Sequence, residues 1–162
     1  MTDGNVGIGT STPYIGIDPG KSGGIAVICG DEINAAKCPE KPLEMSVLFE
    51  IMSSYDKTPK ICIEHVWGFP SDSSKTAFTF GHNFGCWHTI IECSEFDYQF
   101  VSPRAWQTFF ETPKLVKKER KRWLKDLASN IADNKFRVTF NTSDAILIAK
   151  YCKDNFEKNE LK

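Results

Sequence analysis

Asp18, Glu64 and Asp144 are the residues whose placement points to chemistry, because each carboxylate is set into an apolar run. Asp18 ends Tyr14-Ile15-Gly16-Ile17-Asp18, Glu64 interrupts Ile61-Cys62-Ile63-Glu64-His65-Val66, and Asp144 precedes Ala145, Ile148, Ala149 and Cys152 at helical spacing. An ionised carboxylate among buried neighbours is costly unless it is paired or bound to a cation. Three that converge suit hard, oxygen-seeking cations, chiefly Mg2+ with Mn2+ as a substitute, which keep waters and recruit phosphate oxygens. The expected chemistry is metal-assisted hydrolysis of a phosphodiester. Singly, each residue has a plainer reading: Asp18 as a turn residue before Pro19-Gly20, Glu64 as a partner for a lysine, Asp144 as a helix cap. Their joint occurrence in apolar settings favours a shared site.

The elements that must position these side chains follow from periodicity. Residues 14–18 and 25–29 alternate as strands around the turn Pro19-Gly20-Lys21-Ser22-Gly23-Gly24, and residues 31–37 can add a third strand. Leu43, Val47, Leu48 and Ile51 recur at helical spacing between Pro42 and Ser54. Residues 61–66 are nearly all apolar, as in a strand covered on both faces. Asp18 lies on the opposite face from Ile15 and Ile17, and Glu64 shares a face with Cys62, so the two acids converge if their strands are neighbours. Residues 76–93 are helical in period, with Gly81 and Gly85 four apart. A short strand is expected at 96–101, helices near Pro103 and after Thr112-Pro113, and a last helix capped by Thr142 or Ser143. The order describes one α/β domain at 14–153, with a flexible N-terminus at 1–13 and a polar, fraying tail at 154–162.

With 162 residues, 41% of them hydrophobic and 25% charged, the chain fits one globular domain and excludes a disordered or collagenous protein. No apolar run approaches a bilayer span and residues 1–12 are not signal-like, so a cytoplasmic protein is expected. The six cysteines (Cys29, Cys38, Cys62, Cys86, Cys93, Cys152) form no C-x-x-C pair and read as reduced core thiols. A zinc site from His82, Cys86, His88 and Cys93 has no standard spacing. The formal charge of −1 would not nominate a nucleic-acid partner, but it is strongly polarised. Residues 101–125 carry Arg104, Lys114, Lys117, Lys118, Arg120, Lys121, Arg122 and Lys125 against Glu111 and Glu119, a net +6 that leaves −7 for the remainder. On a helix, Val116, Trp123, Leu124 and Leu127 face the core and free much of this set for phosphates; the plainer alternative is a solvated amphipathic face. Lys21 and Ser22 can contact a phosphate from the turn after Asp18, and Trp67, Phe69 and Phe78 can stack on an unpaired base. His65 and His82 are candidate proton shuttles, or structural histidines.

These motifs carry a resemblance. Tyr14-Ile15-Gly16-Ile17-Asp18-Pro19-Gly20 with Gly23-Gly24 resembles the first motif of the RuvC-like Holliday junction resolvases, particularly their bacteriophage and poxvirus branch. Ile63-Glu64-His65-Val66 resembles the second motif and Ser143-Asp144-Ala145-Ile146-Leu147-Ile148-Ala149 the last. Phe78-Thr79-Phe80-Gly81, Phe84-Gly85, Ser102-Pro103 and Trp106-Gln107 also look like segments of phage members, and the ordered match spans residues 14–152. The resemblance implies a ribonuclease H-like fold, a five-stranded mixed sheet flanked by helices, and a homodimer acting on four-way DNA junctions. It assigns to Asp18, Glu64 and Asp144 two divalent ions per site, with hydrolysis to 5′-phosphate and 3′-hydroxyl ends and symmetric nicks. Bacterial members carry a fourth metal-site residue three positions before the last aspartate. Here that position is Asn141, whose amide oxygen can ligate but adds no charge; Asp133 would substitute if its loop folds back. A two-domain sugar-kinase or actin-like protein needs a longer chain and a second copy of the turn. A less selective branched-DNA or RNA/DNA nuclease of the same fold, and a junction-binding protein with weak cleavage, stay open as alternatives.

Overall fold

A computed structural model describes residues 11–65 and 73–160. The alternating first segment forms β1 (Pro13–Asp18), which pairs antiparallel with β2 (Gly24–Cys29), and β2 pairs antiparallel with β3 (Glu32–Lys37). After helix α1 (Pro42–Ser53), the apolar strand β4 (Lys60–Glu64) inserts parallel to β1, with Gly16 opposite Cys62 and Ile17 opposite Ile63. Helix α2 (Ser74–Ser94) returns the chain to β5 (Asp97–Val101), parallel to β4. The sheet order is β3-β2-β1-β4-β5. Three helices follow: α3 (Pro103–Phe109), α4 (Lys117–Ile131) and α5 (Ser143–Glu160).

The period of two divides the strands between two cores. Ile15, Ile17, Ile25, Val27, Ile61 and Ile63 point to one face, where Met45 and Phe49 of α1 and Trp87 and Ile91 of α2 cover them. Tyr14, Ala26, Ile28 and Cys62 point to the other, under α5, with Leu124 and Ala128 of α4 and Trp106 of α3. Helix α5 crosses β1 at Gly16, where a Cβ would come within 2.2 Å of the Ala149 nitrogen and 2.4 Å of the Ala145 oxygen. A side chain at this position would therefore lift α5 off the sheet.

Of the apolar residues at helical spacing in α1, Leu43, Val47 and Ile51 are 76%, 48% and 62% exposed, while Leu48 packs against the core beside the buried Met45, Phe49 and Met52. Helix α1 is apolar on both sides, so spacing alone did not select the face. At the other end, α5 does not fray after Cys152 but continues to Glu160. A Lys150–Asp154 ion pair one turn apart and Phe156, half-buried against the core, give its polar second half a reason to stay helical. All six cysteines are free; Cys29, Cys38, Cys62 and Cys152 are buried, but Cys93 is exposed.

Candidate active site

The parallel register of β1 and β4 brings Asp18 and Glu64 to the same edge of the sheet, one residue beyond the Ile17–Ile63 pair. Asp144 joins them from above, because the close crossing at Gly16 sets the first turn of α5 over that edge. The turn after Asp18 is held on both flanks. The Gly20 N–H donates to Asn83 Oδ1 of α2 at 2.7 Å in a buried bond, and Asn141 Nδ2 donates to the Ser22 carbonyl at 2.8 Å. Gly24 permits the second clamp, since a Cβ there would lie 2.4 Å from the Asn141 carbonyl oxygen. Glu64, buried, accepts a 2.7 Å hydrogen bond at Oε1 from the indole N–H of Trp106. Asp144 accepts at Oδ1 from the Ser143 hydroxyl at 3.2 Å. At the start of α5 the Thr142 carbonyl accepts the Ile146 N–H at 3.0 Å, while its hydroxyl accepts the Thr139 N–H at 3.0 Å and folds the preceding loop.

The electrostatics are those of carboxylates kept from water and close to one another. Burial, then the charges of Glu64 and Asp144, push Asp18 well above the usual carboxylate range. Burial also raises Glu64, to about 7, although the Trp106 hydrogen bond works the other way. Asp144 is raised by burial and partly relieved by Ser143, Lys121 and Arg120. The interaction between Asp18 and Glu64 favours the protonated form of Asp18 and the ionised form of Glu64. Among the described residues, no three His, Cys, Asp or Glu side chains already stand at ion-gripping distances. The donor set nonetheless fits a hard divalent cation: three oxygen ligands, desolvated and mutually repelling, which positive charge would stabilise.

The course of the chain is similar to solved structures of RuvC from Thermus thermophilus. One, titled Thermus thermophilus RuvC structure, aligns with a TM-score of 0.64 at 16% identity, covering 91% of this chain and 97% of that one. Another, T. thermophilus RuvC in complex with Holliday junction substrate, aligns with a TM-score of 0.58 at 16% identity, covering 85% of this chain and 90% of that one. The chain has the RuvC fold. The five-stranded mixed sheet with flanking helices is thus the ribonuclease H-like architecture expected from the sequence. No protein-family profile matches the sequence, and no curated protein does.

On this RuvC-like frame the basic residues separate. Lys121 acts electrostatically on Asp18 and Asp144, and Arg120 on Asp144, so these two side chains of α4 attend the carboxylates. Lys118 and Arg122 instead line a cleft of about 460 Å3 with Leu115, Glu119, Trp123 and Asp126, where two acids offset them. Lys125 lies 5.6 Å over the Phe140 ring, and Arg104, Lys114 and Lys117 are exposed. Lys21 pairs with Glu40 at 3.4 Å in an exposed contact, and with Ser22 lines a groove of about 500 Å3 beside Asp18. Trp67 and Phe69 lie outside the described residues. Phe78 is exposed on α2, next to His82 in a 6.5 Å ring contact. His82 faces an outer groove with Gly81 and Gly85, whereas the His65 ring stacks between Phe84 and Phe100. Asp133 lines a cleft with Gly30 and Asp31, at the opposite end of β1 and β2 from Asp18. It does not fold back to join the carboxylates.

Three contributors escaped the sequence reading. Trp106 and Asn83 hold the site through contacts 42 and 63 residues apart in the chain, which periodicity does not report. Lys75 lines the same groove as Lys21, but a lone lysine in the first turn of a helix carries no distinguishing signal.

Proposed function

We propose that this protein is a metal-dependent Holliday junction resolvase, a structure-specific endonuclease that nicks opposing strands of a four-way DNA junction. The observation that carries this reading is the convergence of Asp18, Glu64 and Asp144 at one edge of a RuvC-like sheet. Mg2+ or Mn2+ held by these carboxylates, two ions per site, would polarise the scissile phosphate and acidify an attacking water, giving 5′-phosphate and 3′-hydroxyl ends. The chain's own residues supply orientation and charge. Trp106 and Ser143 each engage one oxygen of Glu64 and Asp144. Lys121 and Arg120 offset the negative charge of the carboxylates and of an incoming phosphodiester. Asn83 and Asn141 fix the turn that presents Lys21 and Ser22 to the adjoining backbone. Asn141 uses its amide nitrogen in that clamp and offers only a neutral oxygen as a further ligand.

Symmetric nicking needs two sites, and helix α2 offers a surface for a second copy. Among the described residues, a Cβ added to Gly81 or Gly85 would meet nothing within 4 Å. The two glycines line an apolar groove of about 440 Å3 with Pro42, Cys86, Thr89 and Ile90, into which a second α2 can fit closely. The test is incubation with labelled four-way junction, matched duplex and RNA–DNA hybrid in Mg2+ or Mn2+. Paired nicks confined to the junction are expected. Preferential cutting of hybrid, or equal cutting of duplex, would assign a less selective nuclease, and junction binding without cutting a noncatalytic binder.

A further inference from the structure

Among the described residues two tryptophans are fully buried, and one of them donates to a carboxylate. Trp87 has no oxygen or nitrogen partner for its indole nitrogen and stands near the Cys38 thiol. Trp106 donates at 2.7 Å to Glu64 Oε1. We infer that Trp106 is a positioning residue for the metal site: its indole N–H fixes the Glu64 carboxylate in the orientation that receives a divalent cation. The inference rests on the metal-dependent reading above.

The path from sequence to this contact is short. Strand β5 pairs with β4 so that Val101 lies opposite Glu64. The next residue, Ser102, caps α3 by accepting the Ala105 N–H at 3.2 Å, and Pro103 starts the helix. One turn later Trp106 enters the core under α5, and its ring is immobilised there. An indole has a single donor and no acceptor, so this bond engages one carboxylate oxygen only, Oε1. Because the donor is neutral, it stabilises the ionised carboxylate without placing a competing cation at the site; a lysine or arginine there would oppose metal binding. The support for Asp144 is looser, a serine hydroxyl at 3.2 Å that also reaches the Phe140 carbonyl.

The experiment measures Mn2+ binding by electron paramagnetic resonance, without DNA, in wild type, Trp106→Phe, Glu64→Ala and the double variant. Trp106→Phe should bind Mn2+ about ten- to hundred-fold more weakly, the usual cost of removing a partner of a metal ligand. In the Glu64→Ala background the same substitution should change binding less than about two-fold, because nothing is left to orient. A second readout needs no folded variant: among the four tryptophan indole N–H resonances, that of Trp106 should shift on Mg2+ addition more than those of Trp87 and Trp123. Equal losses in both backgrounds, or unchanged binding by Trp106→Phe, would overturn the inference while leaving the nuclease reading standing. Failure of wild type to bind Mn2+ at all would remove both.

Discussion

On the α5 face of the sheet the chain is packed to contact: Gly16 lies directly under Ala145 and Ala149, and residues 145–149 are fully buried. On the opposite face α1 and α2 complete a core of their own but leave Leu43, Val47, Ile51 and Phe78 exposed, and among the described residues nothing lies within 4 Å of a Cβ added to Gly81 or Gly85. The first arrangement tolerates no added atom, because the height of α5 above β1 decides where Asp144 meets Asp18 and Glu64. The second retains apolar surface that the domain does not use for itself. Covering one such side chain would stabilise an assembly by about 1.5–3 kcal/mol. One face thus positions the proposed chemistry, and the other carries the surface proposed for a second copy.

The most severe way to break this contrast is Gly16→Val. Forcing a branched side chain into the Ala145 and Ala149 backbone should cost about 3 kcal/mol or more and prevent normal folding, as followed by circular dichroism in denaturant. A cooperatively folded Gly16→Val protein of unchanged stability would contradict the packing argument.

The pH dependence of the metal-free protein comes next. Glu64 is raised to about 7 by burial, so the native state keeps a proton that the unfolded chain has released above its ordinary carboxylate range. The resulting stability is fully present below about pH 4.5 and is lost as pH rises through 7. Asp18 and Asp144 are raised as well and add in the same direction. Thermal unfolding in EDTA should therefore occur at lower temperature at pH 8 than at pH 5, and Mg2+ should recover the loss at pH 8 with little effect at pH 5. A midpoint that rises with pH in EDTA would count against a buried, unpaired carboxylate cluster.

Within α4 a finer contrast can be drawn. Lys121→Gln should slow junction cutting about a hundred-fold, as expected for loss of a charge beside the reacting phosphate. Lys118→Gln, in the outer cleft with Glu119 and Asp126, should change it about two-fold. Equal effects measured at saturating enzyme would mean that the basic helix contributes only a diffuse field.

The smallest expected effect is Gly85→Ala. With open space at this helical position, it should stabilise the single chain by about 1 kcal/mol while weakening self-association in analytical ultracentrifugation. Destabilisation of the isolated domain would show that the glycine serves intradomain packing after all.

Much of the site was legible in the sequence because its logic is local. Period-two alternation assigns Asp18 and Glu64 to one face, and their apolar surroundings mark both as anomalous. Asp144 was readable from Thr142-Ser143 and the periodicity after it. Trp106 was not, since whether a tryptophan packs or donates depends on what the neighbouring strand brings beneath it. The buried face of α1 was not legible for a related reason: Leu43, Val47 and Ile51 are as apolar as Met45, Phe49 and Met52, and only the docking of the helix chooses between the two faces. The division of the basic segment into Arg120 and Lys121 against Lys118 and Arg122 likewise required the axis of α4, which composition does not provide.

The central claim is that Asp18, Glu64 and Asp144 act as one hydrolytic site. It is tested most directly by single-turnover cutting of a four-way junction in Mg2+ by wild type, Asp18→Asn, Glu64→Gln and Asp144→Asn, each at matched DNA occupancy. The account predicts that all three variants bind the junction and that none cuts it measurably. Cutting at the wild-type rate by any one of them would contradict it.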